Sequence, residues 1–383
     1  MEEQSFEKEA RRRKRAWRIL HPLVRLYFRR FHCSMETVNV EGPYLLIANH
    51  ACDLDPIFVG LASPDRPLAY VASEHLMRMG FITKLLTRYL SVIPRPKASM
   101  AIDTIRAVTK VLRQGEPVVL FAEGDNTWNG ISGSIFPATG KLAKIMKVPL
   151  VTYRMEGNYL TKPRWAAVTR RGRVKGIISH VYMPEELSRM RPEAIDNCID
   201  QDIHVDIREV QKHDPVRYKG KHLAEHMEKA VFICPECKKV GTIYTKGPKV
   251  FCSDCGPLTE IDPYGNFTKG RFFHISEWDQ WQQEAYRACI QEGKKKDLFA
   301  FDGAMTNLTT KEERPVRVSL DLVARTIRVN DDQILLSQIT DLSMVRTNRL
   351  LYTYQDGYFE IRTDTGVLRP YLLAWQEIKK EVE

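Results

Sequence analysis

The decapeptide Ile47-Ala48-Asn49-His50-Ala51-Cys52-Asp53-Leu54-Asp55-Pro56 sets a histidine five residues before a carboxylate, directly after the apolar run Tyr44-Leu45-Leu46-Ile47. That run reads as a short buried strand, so His50 stands where the strand ends and the chain turns. Strand ends often carry reactive side chains. An imidazole titrating near neutrality can take a proton from an alcohol, and Asp55, folding back, would hold its tautomer and stabilise the imidazolium. The spacing alone equally fits a strand-end histidine hydrogen-bonded to a turn aspartate, so other residues must decide.

Three further segments follow in order. Ser91-Val92-Ile93-Pro94-Arg95 is a short strand ending in arginine, Val118-Val119-Leu120-Phe121-Ala122-Glu123-Gly124 is a buried strand ending in Glu-Gly, and Val148-Pro149-Leu150-Val151 opens another. With the His50 block they resemble the glycerophospholipid (1-acylglycerol-3-phosphate) acyltransferase family over roughly residues 15 to 215. That family runs Asn-His-x4-Asp, a strand ending Ile-x-Arg, Phe-Pro-Glu-Gly, then a Val-Pro-hydrophobic strand. The resemblance implies an α/β acyltransferase domain with a mixed sheet flanked by helices, and an acyl-CoA or acyl carrier protein thioester as donor. His50 would be the general base on the acceptor hydroxyl and Asp55 its orienting partner. Arg95 would bind the phosphate of a lysophospholipid or glycerol phosphate, for which a planar guanidinium is well shaped. Lys97 is a second candidate phosphate contact, or an ordinary solvated lysine. Glu123 and Gly124 would position the acceptor's glycerol portion, the glycine allowing close approach of main chain to ligand.

The chain departs from the family pattern at three places. Ala122 replaces the proline before Glu-Gly, and Tyr89 stands where glycine is usual. Asp125-Asn126-Thr127 replaces Thr-Arg-Ser, which removes a positive charge beside the acceptor and puts the common head group in question.

A membrane-borne acceptor needs a surface to meet it. From Arg11 to Arg30 the sequence has no acidic residue, and Trp17, Leu20, Leu23, Val24, Tyr27, Phe28 and Phe31 recur at helical spacing between arginines. This is the composition of an interfacial helix on an anionic bilayer, although the stripe could instead pack on the catalytic domain. Pro22 is expected to bend or interrupt it. No stretch approaches a spanning length, and the start lacks the apolar core and cleavage site of a secretory signal, so the expected place is cytoplasmic, peripheral to the inner face of the membrane. The net charge of +10 suits acidic lipid, phosphate-bearing cofactors or nucleic acid without choosing among them.

Cys234-Pro235-Glu236-Cys237 and Cys252-Ser253-Asp254-Cys255 are two Cys-x2-Cys knuckles flanking a hairpin-like segment, the pattern of a structural zinc ribbon. Cys33, Cys52, Cys198 and Cys289 have no such pattern, and Cys52 reads as a packing residue. One aromatic and modest charge around Tyr244-Thr245-Lys246 are thin support for nucleic acid.

Ile195, Cys198, Ile199 and Ile203 have helical spacing, and Leu223 to Phe232 reads as a further helix. A helix after Phe273 has Ser276 as its candidate cap. The loop Asn129-Gly130-Ile131-Ser132-Gly133-Ser134 is expected to be flexible, a candidate lid. From Lys296 short strands alternate with turns before a final helix, Arg369 to Lys380, a pattern similar to a pleckstrin-homology-like domain. The expected domains are a basic amphipathic helix (1–36), an acyltransferase domain (37–215), a zinc ribbon (228–262) and a small β-rich domain closed by a C-terminal helix (296–383). The expected activity is acyl transfer to a lysophospholipid. The alternatives are an inactive acyltransferase-like lipid- or partner-binding module and a zinc-ribbon nucleic-acid-binding protein.

Overall fold

The apolar runs around His50 pair with one another. In the computed structural model, residues 2–73, 91–95 and 100–382 are described, with 2–10, 73, 91, 94–95, 100–102 and 382 described only as secondary structure. The chain divides into two compact units, Met1–Pro163 with Thr169–Lys219, and Arg164–Val168 with Gly220–Glu383.

In the first unit, strands β1 (Ser34–Met35), β2 (Leu45–Ala48), β3 (Ala69–Ser73), β4 (Ser91–Arg95), β5 (Val118–Phe121), β6 (Leu150–Glu156) and β7 (Lys175–Tyr182) form one sheet in the order β1-β7-β6-β2-β5-β3-β4. Of these strands only β6 and β7 pair antiparallel, so the sheet is mixed. Central β2 is buried on both faces, which is why it reads as a continuous apolar run rather than an alternation. Leu46 and Ala48 point into a core with Phe28, Phe31, Phe58 and Val59, whereas Leu45 and Ile47 point into the opposite core with Val108, Leu112, Ile195 and Ile199. Helices α1 (Glu2–Phe28) and α2 (Asp55–Leu61) thus cover one face. The other carries α3 (Met100–Arg113), α4 (Thr139–Met146) and, beyond the short α5 (Asn158–Thr161) and α6 (Pro184–Arg189), α7 (Pro192–Ile203), before α8 (Ile207–His213).

Helix α1 corrects two expectations. It runs through Pro22 without interruption. Pro22 and Arg18, whose carbonyl loses its intrahelical donor there, are both exposed, so water can satisfy the freed oxygen. The expected apolar stripe also splits in two. Trp17, His21, Phe28 and Phe31 face inward: the Trp17 indole donates to the Ser63 carbonyl (2.8 Å), and the Phe28 ring meets Phe58 edge-on. Ile19, Leu23, Leu26 and Tyr27 face solvent, 55–67% exposed.

In the second unit, β8 (Ile243–Lys246), β9 (Lys249–Cys252) and β10 (Gly256–Glu260) form a small antiparallel sheet. Strands β11 (Leu298–Asn307), β12 (Glu313–Asp321), β13 (Thr326–Val329), β14 (Asp332–Leu335), β15 (Ile339–Val345), β16 (Arg349–Tyr354) and β17 (Gly357–Arg362) form an antiparallel sheet in the order β14-β13-β12-β11-β17-β16-β15. Helices α9 (Ile275–Glu292) and α10 (Arg369–Val382) complete it. Residues 223–232 contain only a 3-10 turn, Met227–Lys229: His226 takes a left-handed backbone, and Ala230 to Ile233 are buried throughout rather than on one stripe. That buried segment hangs on polar side chains, since Gln282 and the buried Arg369–Asp279 pair (2.6 Å) bind the Ala230 carbonyl or each other, and Trp278 donates to Ile233. The cap of α9 is His274 rather than Ser276; the His274 ring nitrogen accepts the Ser276 amide.

Candidate active site and a four-cysteine site

Register brings the family-like residues to one edge. Leu45 pairs with Val118, Val118 with Ala69 and Ala69 with Ser91, a row across four parallel strands. His50 and Glu123 each lie five residues beyond that row and Arg95 four, all at or past the carboxyl ends of the strands. Open parallel sheets bind ligands at that edge.

The His50 Nδ1 lies 2.9 Å from Asp55 Oδ2. Asp55 is fully buried in the first turn of α2, and its charge is compensated densely. Oδ2 also accepts the Ala51 and Cys52 amides, and Oδ1 accepts the Asn158 side-chain amide (2.9 Å) and the Cys52 thiol. Burying a carboxylate without such donors would cost several kcal/mol. With Nδ1–H given to Asp55, Nε2 is the basic nitrogen of a ring that keeps 19% side-chain exposure. The Phe121 ring stacks on the imidazole, centroids 4.4 Å apart, and fixes its plane. Burial and the adjacent Asp55 charge hold the Cys52 thiol protonated, so it packs and donates.

Asn49 secures the strand end. Its side-chain amide donates to the Met155 carbonyl and accepts the Met155 N–H, continuing the β2·β6 ladder by one side chain. On the other side Glu123 receives the His50 amide on Oε1 (2.8 Å) and the Gly133 amide on Oε2 (2.7 Å). Burial raises the Glu123 pKa to about 7 against those bonds. Gly124 has φ +75°, and a Cβ there would lie 2.1 Å from the Phe136 ring, so the glycine is needed for packing within the chain itself.

The loop expected to be flexible is tied at both sides. The Ser132 amide donates to the Val205 carbonyl, the Ser132 hydroxyl accepts the Val205 amide, Ile131 bridges to Asp206, and Gly133 is held by Glu123. The departing Asp125-Asn126-Thr127 segment also closes on the His50 block: the Asn126 side-chain NH2 donates to Asp53 Oδ1 (2.9 Å), and the Thr127 N–H donates to the His50 carbonyl. The Arg95 backbone ends β4. Its side chain, and all of Lys97 and Tyr89, lie outside the described residues.

His50, Asp55, Glu123 and Gly124 are therefore brought together. Sequence reasoning missed Asn49, Phe121 and Asn158. Asn49 and Phe121 were legible as neighbours of the motif in sequence or on the adjacent strand, whereas Asn158 lies 103 positions from Asp55 and only the fold joins them.

In the second unit Cys234, Cys237, Cys252 and Cys255 place their sulfurs within 4.8 Å of one another, an arrangement that can hold a metal ion. The Cys234–Cys255 and Cys237–Cys252 sulfurs are 3.9 and 3.8 Å apart. A tetrahedron with metal–sulfur bonds of about 2.3 Å has edges of about 3.8 Å. Among the described residues no helix is long and apolar enough to cross a membrane.

A similar solved structure is the 1-acyl-sn-glycerophosphate (LPA) acyltransferase PlsC from Thermotoga maritima, at 18% identity and a TM-score of 0.44 over 52% of this chain and 80% of that one. Residues 30–156, the stretch that carries β2, His50, Asp55, β5 and Glu123, match the family model described as acyltransferase.

Proposed function

We propose that the protein transfers a fatty acyl group from an acyl thioester, acyl-CoA or acyl carrier protein, to the hydroxyl of a lysophospholipid such as 1-acylglycerol 3-phosphate. The observation that carries the reading is the buried, charge-compensated Asp55 holding His50 at the carboxyl edge of the sheet, in a segment that matches the acyltransferase family. His50 Nε2 takes the acceptor hydroxyl proton as the oxygen attacks the thioester carbonyl carbon. The tetrahedral intermediate collapses, the carbon–sulfur bond breaks, and the thiolate leaves with the proton from the imidazolium. No covalent enzyme intermediate is needed. Arg95 binds the acceptor phosphate: three strand spacings of about 4.8 Å separate the β4 and β2 ends by roughly 14 Å, a span that an arginine side chain and a glycerophosphate fill together.

The exposed Ile19, Leu23, Leu26 and Tyr27, set among arginines, lie on an anionic membrane surface and bring the protein to its acceptor from the cytoplasmic side. The four cysteines hold structural zinc, as their spacing supports, and staple a ribbon too small to fold on a hydrophobic core alone. The seven-stranded sheet with its closing helix acts as a pleckstrin-homology-like docking module.

The test is product formation by purified protein with each donor against lysophosphatidic acid, glycerol 3-phosphate and a zwitterionic lysophospholipid, read by mass spectrometry. Diacyl product from lysophosphatidic acid supports the reading in full. Product from another acceptor alone keeps the acyl transfer and overturns the head group, and no product with any pair favours a binding module.

A further inference from the structure

We infer that Asn158 is a positioning residue of this site, a further group that acts on His50 through Asp55. This rests on the acyl-transfer reading for its kinetic consequence, but its structural content can be measured without turnover. Asn158 is 1% exposed and its side-chain nitrogen donates to Asp55 Oδ1 at 2.9 Å, on the oxygen opposite the one that holds His50. The other donor to Oδ1 is the Cys52 thiol at 3.2 Å, a weak one, so the Asn158 amide is the strong donor there.

The backbone around Asn158 is shaped to make this contact. Gly157 has φ +82°, and a Cβ at that position would lie 2.3 Å from the Arg173 carbonyl and 2.2 Å from the Tyr218 hydroxyl, which itself donates to Arg173. Only a glycine turns the chain out of β6 there, and that turn aims the first residue of α5 back at α2. Asn158 thereby fixes the carboxylate plane. It also draws off part of the Asp55 charge, which sets how strongly Asp55 holds the imidazolium. Thr161 and Tyr159, its neighbours on the same turn, bond instead to Gly157 and Trp128 carbonyls and take no part.

Asn158→Leu removes the donor while keeping the branching of the side chain. The expected result is a fall in kcat of about tenfold with KM unchanged, because the freed carboxylate no longer holds the imidazole in its plane, a loss that outweighs the extra charge Asp55 turns on the ring and that shows as a rise in the His50 pKa. The pKa is read by NMR titration of labelled histidine, assigned with His50→Gln. In an Asp55→Asn background Asn158→Leu has no further effect on kcat, because the group through which it acts is gone. Should the leucine variant fail to fold, Asn158→Asp serves. The introduced carboxyl donates as the amide does while it is neutral and opposes Asp55 once it ionises, so this variant acquires an alkaline limb in its pH–rate profile that wild type lacks. An unmoved His50 pKa, or equal losses of kcat in both backgrounds, overturns the proposal. An enzyme without acyl transfer but with a His50 pKa that moves overturns the activity and leaves the positioning role standing.

Discussion

Replacing Asp55 by asparagine separates charge from shape at this site. The side chain is fully buried, so the change reaches the chemistry through His50. Asparagine keeps one oxygen to accept the Ala51 and Cys52 amides, and the Asn158 side chain can turn its own oxygen toward the new NH2 group. The fold therefore survives. What is lost is the charge facing the imidazolium. With Nδ1 and Oδ2 2.9 Å apart the charge centres lie about 4 Å from each other, an attraction of about 4 kcal/mol at an effective dielectric of about 20. If that term acts only once His50 carries the proton, kcat falls about a thousandfold while KM changes less than about threefold. Steady-state acyl transfer with lysophosphatidic acid varied at saturating donor, with circular dichroism to confirm folding, reads both. A kcat within tenfold of wild type, or a loss confined to KM, would refute the argument that Asp55 works by stabilising the imidazolium.

Glu123 adds a pH signature. Its pKa rises from 4.5 to about 7, so between those values the folded chain binds more protons than the unfolded one; its contribution to stability is complete below pH 4.5 and lost as pH rises through 7. Relative to Glu123→Gln, wild type is expected to lose about 3 kcal/mol between pH 4.5 and 8 in urea unfolding, and parallel curves would contradict the burial argument. On α1, Leu23→Glu with Leu26→Glu removes two apolar contacts worth about 1.5 kcal/mol or more each on burial, so binding to anionic vesicles should weaken about a hundredfold or more with thermal stability unchanged. Undiminished sedimentation with vesicles would leave that face without the role assigned to it. Metal analysis should find one zinc per chain, absent from Cys252→Ser, and chelation should lower the unfolding temperature of the second unit; full stability after chelation would mean the ribbon stands on its own packing.

What the sequence made legible was what local chemistry dictates. Strands β2, β4 and β5 are short apolar runs with clear ends, and the residues that follow them inherit their positions from the sheet register. That the four cysteines converge was legible, because two Cys-x2-Cys knuckles at that spacing suit a single metal ion. The misreadings arose where tertiary contacts overrule local pattern. The helix expected over 223–232 gives way because its apolar residues are buried on all sides, and Pro22 stays inside α1 because its missing bond falls on a solvent-facing carbonyl. The loop at 129–134 has the composition of a mobile segment, yet Glu123, Val205 and Asp206 hold it. The resemblance assigns Glu123 to the acceptor, and the fold adds that its two oxygens bind main-chain amides on either side of the site. Asn158 carried no local sign at all.

Whether His50 is the base is read from the acyl-transfer rate of His50→Ala beside wild type, with the same donor, the same lysophospholipid and matched zinc content. Wild type is expected to turn over and the variant to lose at least about a thousandfold, because the nitrogen that takes the acceptor's proton leaves with the ring. Turnover by His50→Ala within tenfold of wild type would contradict it.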